Sequence, residues 1–243
     1  MCGRYSLAGP NPGTVRERFA LGDAVPVERR FNIAPGQDVL AVTTDREGRP
    51  RAELLRWGLV PHWAESPKVG YRMINARAET VAERPAFREA FAERRCLILA
   101  DGFYEWQPRA HGPKQPWWIT REDHAPFAFA GLWASWRPAP DVEPLRSCTI
   151  ITTEATPSLR EVHDRMPVIL EPGAEGAWLG PAAGADVRDL LRPFAATARI
   201  PVGRAVLEAV PDAPPGSAGG PDEPDGIAGV EPEPDEPASP TLF

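Results

Sequence analysis

Short runs of apolar, strand-forming residues recur through most of the chain, and they constrain its fold more than any other feature of the sequence. The clearest runs are DVLAVTTD, RAELLRWGLVP, RCLILADGFYEWQ, FAFAGLWASW and RSCTIITTEA, at 38–45, 51–61, 95–107, 127–136 and 146–155. Helical patterns are few and short, as at 85–95, whereas FNIAPGQ (31–37) has the composition of a turn-rich loop. Strands and helices do not alternate as in βαβ units, so the sequence predicts a β-rich α+β domain.

The composition changes at Pro211. The segment from there onward is rich in Pro and Gly and carries eight acidic residues but no Lys or Arg. Such a segment cannot bury a core, so we predict one folded domain over 1–210 and a disordered tail over 211–243. The net charge of the whole chain is -7, but removing those eight from the 34 acidic residues leaves 26, against 27 basic residues. A nearly neutral body is compatible with DNA binding, because a local arginine cluster is enough to hold a short strand.

The first five residues, MCGRY, place a cysteine directly after the initiator methionine. A residue as small as Cys2 usually permits removal of Met1, which leaves a free α-amine beside the thiol. Their reference pKa values, about 7.7–8.0 and about 8.5, make both groups partly nucleophilic near neutral pH. Such an aminothiol traps aldehydes, because the amine forms an imine and the thiol then closes a thiazolidine ring. The alternative is an incidental Met-Cys start on a frayed terminus.

Three further segments carry polar residues in apolar surroundings. In RMINARAE, Asn75 and Arg77 are two residues apart and would share one side of an extended segment. In DGFYEWQ, Glu105 follows a strand-like run, and an apolar setting should raise the pKa of its carboxyl group. In VHDRMP, His163 follows a predicted helical turn. Each has a structural alternative when taken alone: Glu105 could pair with a buried arginine, and His163 could cap a helix.

Aromatic residues are interleaved with cations, the arrangement by which proteins bind single-stranded nucleic acid. Trp57 and Trp63 flank a turn at Gly58 and Pro61, so we interpret these two as surface residues that wedge into the nucleic acid. The other tryptophans considered lie in strand-like runs, where we expect core positions: Trp117, Trp118, Trp133 and Trp136. Cys96 and Cys148 also lie in apolar runs, and we expect buried thiols in a reducing compartment.

Six short motifs together resemble the SOS response-associated peptidase (SRAP) family: MCGRY at the start, NIAP at 32–35, WGLVP at 57–61, NARAET at 75–80, DGFYEW at 101–106 and HDRMP at 163–167. The resemblance implies a single β-rich domain whose strands form a barrel-like core with short flanking helices. It also implies a protein that covers abasic sites in single-stranded DNA by covalent self-attachment, which shields the lesion during replication and SOS repair.

The resemblance also implies roles for individual residues. Cys2 is the nucleophile, Asn75 orients its amine or the opened sugar, Glu105 shuttles protons, and His163 assists opening of the sugar ring. The family removes its own initiator methionine, and we add lyase activity at abasic sites as an expectation.

Arg4 and Arg77 are implied to hold the phosphates that flank the lesion. The sequence departs from the family at 202–207, where VGRAVL stands in place of an asparagine-containing stretch. Contacts that the family makes there are therefore not predicted for this chain.

Two other classes of function remain open. A cysteine peptidase or amidase would use the Cys2 thiolate as nucleophile and His163 as base. Plain single-strand binding would leave Cys2 incidental. A protease needs neither stacking tryptophans nor phosphate-binding arginines. Covalent attachment to abasic DNA therefore accounts for more features of the sequence.

The expected partner is single-stranded DNA that contains an abasic site, with no cofactor and no metal. We expect a monomer without a membrane span, located in the cytoplasm and associated with the nucleoid, as in bacteria. The terminal Leu242 and Phe243 weakly resemble the end of peptides that dock on bacterial sliding clamps. That resemblance adds a clamp as a further expected partner, whereas the simpler reading of the tail is a solubilising segment.

Overall fold

The computed structural model describes residues 2–9, 12–21, 27–180 and 184–202 of the chain. The predicted tail over 211–243, its terminal Leu242 and Phe243, and nearly all of 202–207 lie outside these residues. Within the described ranges there are twelve strands: β1 Arg4–Leu7, β2 Arg30–Ile33, β3 Asp38–Thr44, β4 Pro50–Trp57, β5 Asn75–Arg77, β6 Arg95–Ala100, β7 Gly102–Gln107, β8 Gln115–Arg121, β9 Phe127–Trp136, β10 Leu145–Glu154, β11 Arg165–Pro167 and β12 Thr197–Pro201.

The helices in the described part of the chain are short. The α-helices are α1 Pro12–Arg18, α2 Arg88–Glu93, α3 Pro157–Arg160 and α4 Glu175–Leu179, and two 3₁₀ helices cover Pro67–Arg72 and Gly184–Leu190. The prediction of a β-rich α+β fold with short flanking helices is confirmed.

Five strands close into a barrel. The order β10-β4-β3-β6-β9 is completed by pairing of β9 back onto β10, and only the β4–β10 pair is parallel. Closure removes the free edges that an open sheet would expose. The barrel-like core predicted from the sequence is therefore present. Its apolar filling is visible in β6, where all six residues are buried.

A second sheet carries the start of the chain. Its order is β12-β8-β7-β1-β2, so β1 lies between β2 and β7 and pairs antiparallel with both. Arg4 is opposite Tyr104 and Ser6 is opposite Gly102. The N-terminal segment is thereby fixed in the interior of the sheet, although chain termini usually fray unless they are tied down.

The segment FNIAPGQ differs from its prediction as a loop. Its first three residues belong to β2, with Ile33 opposite Tyr5 and the Ile33 side chain buried. The turn composition applies only to the residues after Ile33, where Gly36 adopts a positive φ of 87°. A strand of four residues is too short to show the alternation by which strands are identified from sequence.

A buried arginine joins the ends of two helices. Arg95 is 5% exposed, and its guanidinium group donates to the main-chain oxygens of Phe91 and Ala92 in α2, and to those of Trp178 and Gly180 at the end of α4. Carbonyl groups in the last turn of a helix have no partner within the helix, and a cation placed there satisfies them.

We expect Arg95→Leu to destabilise the protein by about 3 kcal/mol, because it leaves several buried carbonyl groups without donors. For a domain of this size the melting temperature should fall by about 6–12 °C. Thermal unfolding followed by circular dichroism measures the shift. Arg94→Leu is the matched control, because Arg94 forms surface ion pairs with Glu89 and Glu93. This variant should lower the free energy of unfolding by about 1 kcal/mol or less. Equal decreases in melting temperature for the two variants would contradict the role of Arg95 in joining the two helix ends.

Candidate functional site

Four distant parts of the chain meet around Cys2. Cys2 lies two residues before β1, Asn75 begins β5, Glu105 lies in β7, and His163 lies between α3 and β11. Pairing of β1 with β7 brings the cysteine segment beside Glu105, and pairing of β5 with β10 carries Asn75 toward the same place. The four predicted catalytic residues are thus brought together.

The Cys2 side chain is fully buried and packs within the apolar core. Its Sγ lies 3.8 Å from the main-chain oxygen of Arg4. Burial, reinforced by the negative charge of Glu105, raises the pKa of the Cys2 thiol well above its ordinary range. The sulfur is therefore held as a neutral thiol in this setting and not as a ready thiolate.

Asn75 holds the main chain of Cys2. Its side-chain Nδ2 donates to the carbonyl oxygen of Cys2 at 2.9 Å. A carbonyl oxygen can only accept, so this bond fixes the orientation of the amide. The amide Oδ1 is buried and has no hydrogen-bond partner among the described residues. Asn75 therefore presents an acceptor beside Cys2, suited to an amine or a hydroxyl group.

Glu105 is a buried acid. It is 4% exposed, and this burial raises the pKa of its carboxyl group, although attraction to nearby positive charge, including His163 when protonated, offsets part of the effect. The sequence-based expectation of a raised pKa is confirmed. A carboxyl group of this kind is suited to accept and return a proton close to neutral pH.

The main chain sets the orientation of the His163 ring. The backbone N–H of Arg165 donates to Nδ1 at 3.0 Å, so in the neutral ring the proton resides on Nε2. Nδ1 also lies 2.8 Å from the Asp164 carboxylate, whose side chain is 85% exposed. One nitrogen cannot accept from the amide and donate to the carboxylate at once. The backbone bond is the stronger constraint, because it is partly buried whereas the Asp164 side chain is exposed to solvent. The neutral ring then presents Nε2–H as a donor.

Arg4 and Arg77, the two predicted phosphate contacts, differ in their surroundings. Arg4 is half-buried and its Nη1 donates to Oδ1 of Asn32 at 2.9 Å, which fixes the guanidinium group beside Cys2. Arg77 is exposed at the end of β5. Sequence reasoning missed Asn32. The only sequence signal for it is a polar residue, now 4% exposed, within the NIAP motif.

The interpretation of Trp57 as a surface wedge is wrong. Its ring is 1% exposed, contacts Tyr5 edge-on, and donates its indole N–H to the main-chain oxygen of Ile74. A tryptophan ring at the end of a barrel strand buries more apolar area when it packs in the core than when it lies on the surface. Trp63 is 53% exposed, as predicted for a surface residue, and Tyr71 is exposed on the same segment between β4 and β5.

Of the other residues expected in the core, the two cysteines agree with the structure, whereas the four tryptophans lie at its margin, with only Trp117 and Trp133 packed against the core. Cys96 and Cys148 are fully buried, and Trp117, Trp118, Trp133 and Trp136 are all at least partly buried.

A cleft of about 600 Å³ lies away from Cys2, and none of the predicted site residues lines it. Its lining includes Thr43, Glu53, Trp133 and Arg146. Arg146 pairs with Glu53 at 2.7 Å and covers the Trp133 ring at 4.1 Å, so these two charged side chains already satisfy each other.

The described residues contain no group of three or more His, Cys, Asp or Glu side chains arranged to hold a metal ion. Within the same residues, no helix is long and apolar enough to span a bilayer.

Comparison with known proteins gives close relatives. Abasic site processing protein YoaM of Bacillus subtilis is 44% identical over 184 residues, which cover 74% of this chain and 80% of that protein. Abasic site processing protein YedK of Escherichia coli is 30% identical over 189 residues, covering 74% and 79%.

Solved structures share the fold. A protein from Bacteroides thetaiotaomicron matches with a TM-score of 0.79 at 25% identity, over 88% of this chain and 97% of that one. A protein from Bordetella bronchiseptica matches with a TM-score of 0.69 at 32% identity, over 83% of this chain and 100% of that one. The model of the family described as SOS response associated peptidase (SRAP) matches residues 1–209. The chain therefore belongs to the SOS response-associated peptidase family.

Proposed function

We propose that this protein recognises abasic sites in single-stranded DNA and attaches itself to them through a thiazolidine at Cys2, once Met1 has been removed. The proposal includes self-removal of Met1 and lyase activity at the lesion. The observation that carries it is the cluster around Cys2, in which an amide and a buried acid accompany a cysteine at the second position of the chain.

The chemistry begins at the α-amine. The sugar of an abasic site equilibrates between a closed ring and an open aldehyde, and the Cys2 amine adds to the aldehyde carbon to give a carbinolamine. Loss of the hydroxyl group as water leaves an imine. The Cys2 S–H then adds across the C=N bond, so sulfur bonds to carbon and the proton passes to nitrogen. One water is released for each thiazolidine formed.

The surrounding residues fit these steps. Glu105 protonates the departing hydroxyl and regains a proton from the nitrogen as the imine forms. As the ring closes, it relays the thiol proton to that nitrogen. Oδ1 of Asn75 accepts from the amine of Cys2, or from a hydroxyl of the opened sugar. The His163 Nε2–H donates to the ring oxygen as the sugar opens.

A cysteine peptidase mechanism is less well supported by this geometry. A hydrolase needs the thiolate as its first nucleophile, with a histidine to accept the proton. Here burial and Glu105 favour the neutral thiol of Cys2, and the His163 ring presents a donor in its neutral form. An amine-first reaction avoids both difficulties, because the thiol acts only after the imine has formed.

The test is denaturing electrophoresis of the purified protein with an abasic oligonucleotide and with the same oligonucleotide intact. A band that survives denaturation with the abasic strand alone supports the proposal, and Cys2→Ala should abolish it. Mass spectrometry of the adduct should show the amine and thiol of Cys2 both consumed. A wild-type protein with Met1 removed that gives no covalent band would overturn the proposal.

We expect Arg77→Ala to weaken binding to single-stranded DNA because it removes one phosphate contact. The slope of log K against log[salt] should fall in magnitude by about 0.7–1 unit. Fluorescence anisotropy at several salt concentrations measures this slope. Arg49→Ala is the control, since Arg49 is an exposed arginine at the β3–β4 turn, paired with Asp45 and Glu47. An unchanged slope in Arg77→Ala would remove that residue from the DNA-binding surface.

A further inference from the structure

A second buried carboxylate, Asp101, lies at the junction of β6 and β7 and takes no part in the reaction proposed above. It is 5% exposed. Its Oδ1 accepts from the Ser6 hydroxyl at 2.5 Å and its Oδ2 accepts from the backbone N–H of Ala8 at 2.6 Å. Its own backbone N–H donates to the Ser6 oxygen at 2.9 Å. Asp101 therefore binds the N-terminal strand at three points.

The same network extends to β8. The Trp118 indole N–H donates to the Ser6 hydroxyl oxygen at 2.9 Å, and the Thr120 hydroxyl donates to the Asp101 main-chain oxygen at 2.7 Å. The indole lies so close over Gly102 that a Cβ there would be 2.0 Å from its nitrogen. Three strands are thus joined through one serine hydroxyl.

Without such bonds β1 would be held weakly. The strand has only four residues, and its pairing with β2 is interrupted by a register shift between Tyr5 and Leu7. Paired main chains alone leave the first residues of a chain free to slide or fray. The carboxylate bonds act at the C-terminal end of β1. One holds Ser6, the last residue that pairs with β7, and the other holds Ala8, two residues further on.

We propose that Asp101 is a positioning residue, which fixes β1 against β7 so that Cys2 is held at the distance from Glu105 that the crosslinking reaction requires. This inference rests on the proposed function. Asp101 directly precedes β7 and Glu105 is the fourth residue of that strand. Asp101 is bonded to the segment that carries the nucleophile, and Glu105 lies beside the nucleophile itself. Displacement of a reacting group by about 1 Å costs up to about 100-fold in rate.

Asp101→Ala tests the inference. Amide hydrogen exchange should show loss of protection at Ala8 and along β1, while amides of the barrel strands remain protected. The rate constant for crosslinking at saturating abasic DNA should fall by about 10- to 100-fold, with little change in the Kd for the same DNA. Asp101→Asn should recover most of the rate, because its Oδ1 can accept from Ala8 while the Ser6 hydroxyl turns to the Gly102 oxygen, 3.3 Å away.

Trp178→Phe is the stability control. Trp178 is buried under α2 and β6, where its N–H donates to the Cys96 oxygen, and it belongs to neither the site nor the network. Measured well below its melting temperature, this variant should crosslink at the wild-type rate despite a comparable loss of stability. Ser6→Ala is a milder variant, available if Asp101→Ala does not fold.

Three outcomes would overturn the inference: an unchanged crosslinking rate in Asp101→Ala, loss of protection spread over the whole sheet, or an equally slow Trp178→Phe. A wild-type protein that fails to crosslink would defeat the proposed function instead, and the hydrogen-exchange measurement would still decide whether Asp101 holds β1.

Discussion

Cys2→Ser is expected to convert a permanent DNA adduct into a labile one. Serine keeps the α-amine, so the imine with the opened sugar still forms. Its hydroxyl group is a far weaker nucleophile than sulfur, and ring closure is lost. The imine then hydrolyses back to the aldehyde and the free amine. The wild-type adduct should persist through heating in denaturant, whereas the serine adduct should survive only when borohydride reduces it first.

Electrophoresis with and without borohydride separates the two steps of the reaction. Cys2→Ala should behave like Cys2→Ser, because both retain the amine and lack the thiol. A protein in which Met1 is retained should give no heat-stable adduct without borohydride, since the amine of Cys2 is then part of a peptide bond and the thiol cannot close a thiazolidine. Equal persistence of the serine and wild-type adducts would rule out the thiazolidine.

Glu105→Gln should slow crosslinking by about 100-fold or more, because an amide of the same shape cannot donate and accept a proton in turn. The same substitution should stabilise the fold. The pKa of Glu105 is raised in the folded protein, so above that pKa the protein bears the cost of a buried carboxylate that the unfolded chain does not.

The sign of the pH dependence is set by that shift. Between the usual value of 4.5 and the raised folded pKa, the native state holds a proton that the unfolded chain has lost. The Glu105 contribution to stability therefore decreases as pH rises through this window. Glu105→Gln should melt higher than wild type at neutral pH, and the difference should shrink as the pH approaches 4.5. A gain of about 1 kcal/mol corresponds to about 2–4 °C.

Rates and melting curves of the same samples provide the measurement. His163→Ala serves for comparison, because loss of assistance in ring opening should slow attachment less than loss of the acid. A Glu105→Gln variant that crosslinks at the wild-type rate would remove Glu105 from the role of proton shuttle.

The sequence was sufficient to predict the strands and the identity of the site, but not how the site is held. Runs such as 95–107 and 127–136 indicate strands because nearly every residue in them is apolar and buried. Glu105 could be recognised because a carboxylate between two aromatic residues, directly after a buried run, is unusual. Pairing of the consecutive strands β9 and β10 is the ordinary expectation for neighbours in the chain. The pairs that could not be predicted are β3 with β6 and β4 with β10, because those strands are far apart in sequence and no local pattern joins them.

The wrong interpretation of Trp57 also arises from contacts between residues that are distant in the chain. Trp57 and Trp63 have similar neighbours in sequence, yet one fills the barrel end and the other faces solvent. The direction of the chain after Gly58 depends on the φ of that residue, which is 129°. It also depends on the close approach of Gly58 to Gly70, since a Cβ on Gly58 would lie 2.8 Å from the Gly70 oxygen. The role of Asp101 has no local signal, because its partners Ser6 and Ala8 are more than 90 residues away in the chain.

The long separation in sequence between Cys2 and the other site residues has a consequence during synthesis. Cys2 leaves the ribosome first, whereas β7 and His163 emerge much later, at about 5–20 residues per second. For roughly ten seconds or more at that rate, the nascent N-terminus has neither the acid nor the burial of the finished site. If Met1 stayed in place until the barrel closed, the amine of Cys2 would remain blocked throughout, and cellular aldehydes could not consume it. Met1 would then act as a protecting group, removed only by the folded protein that needs the amine.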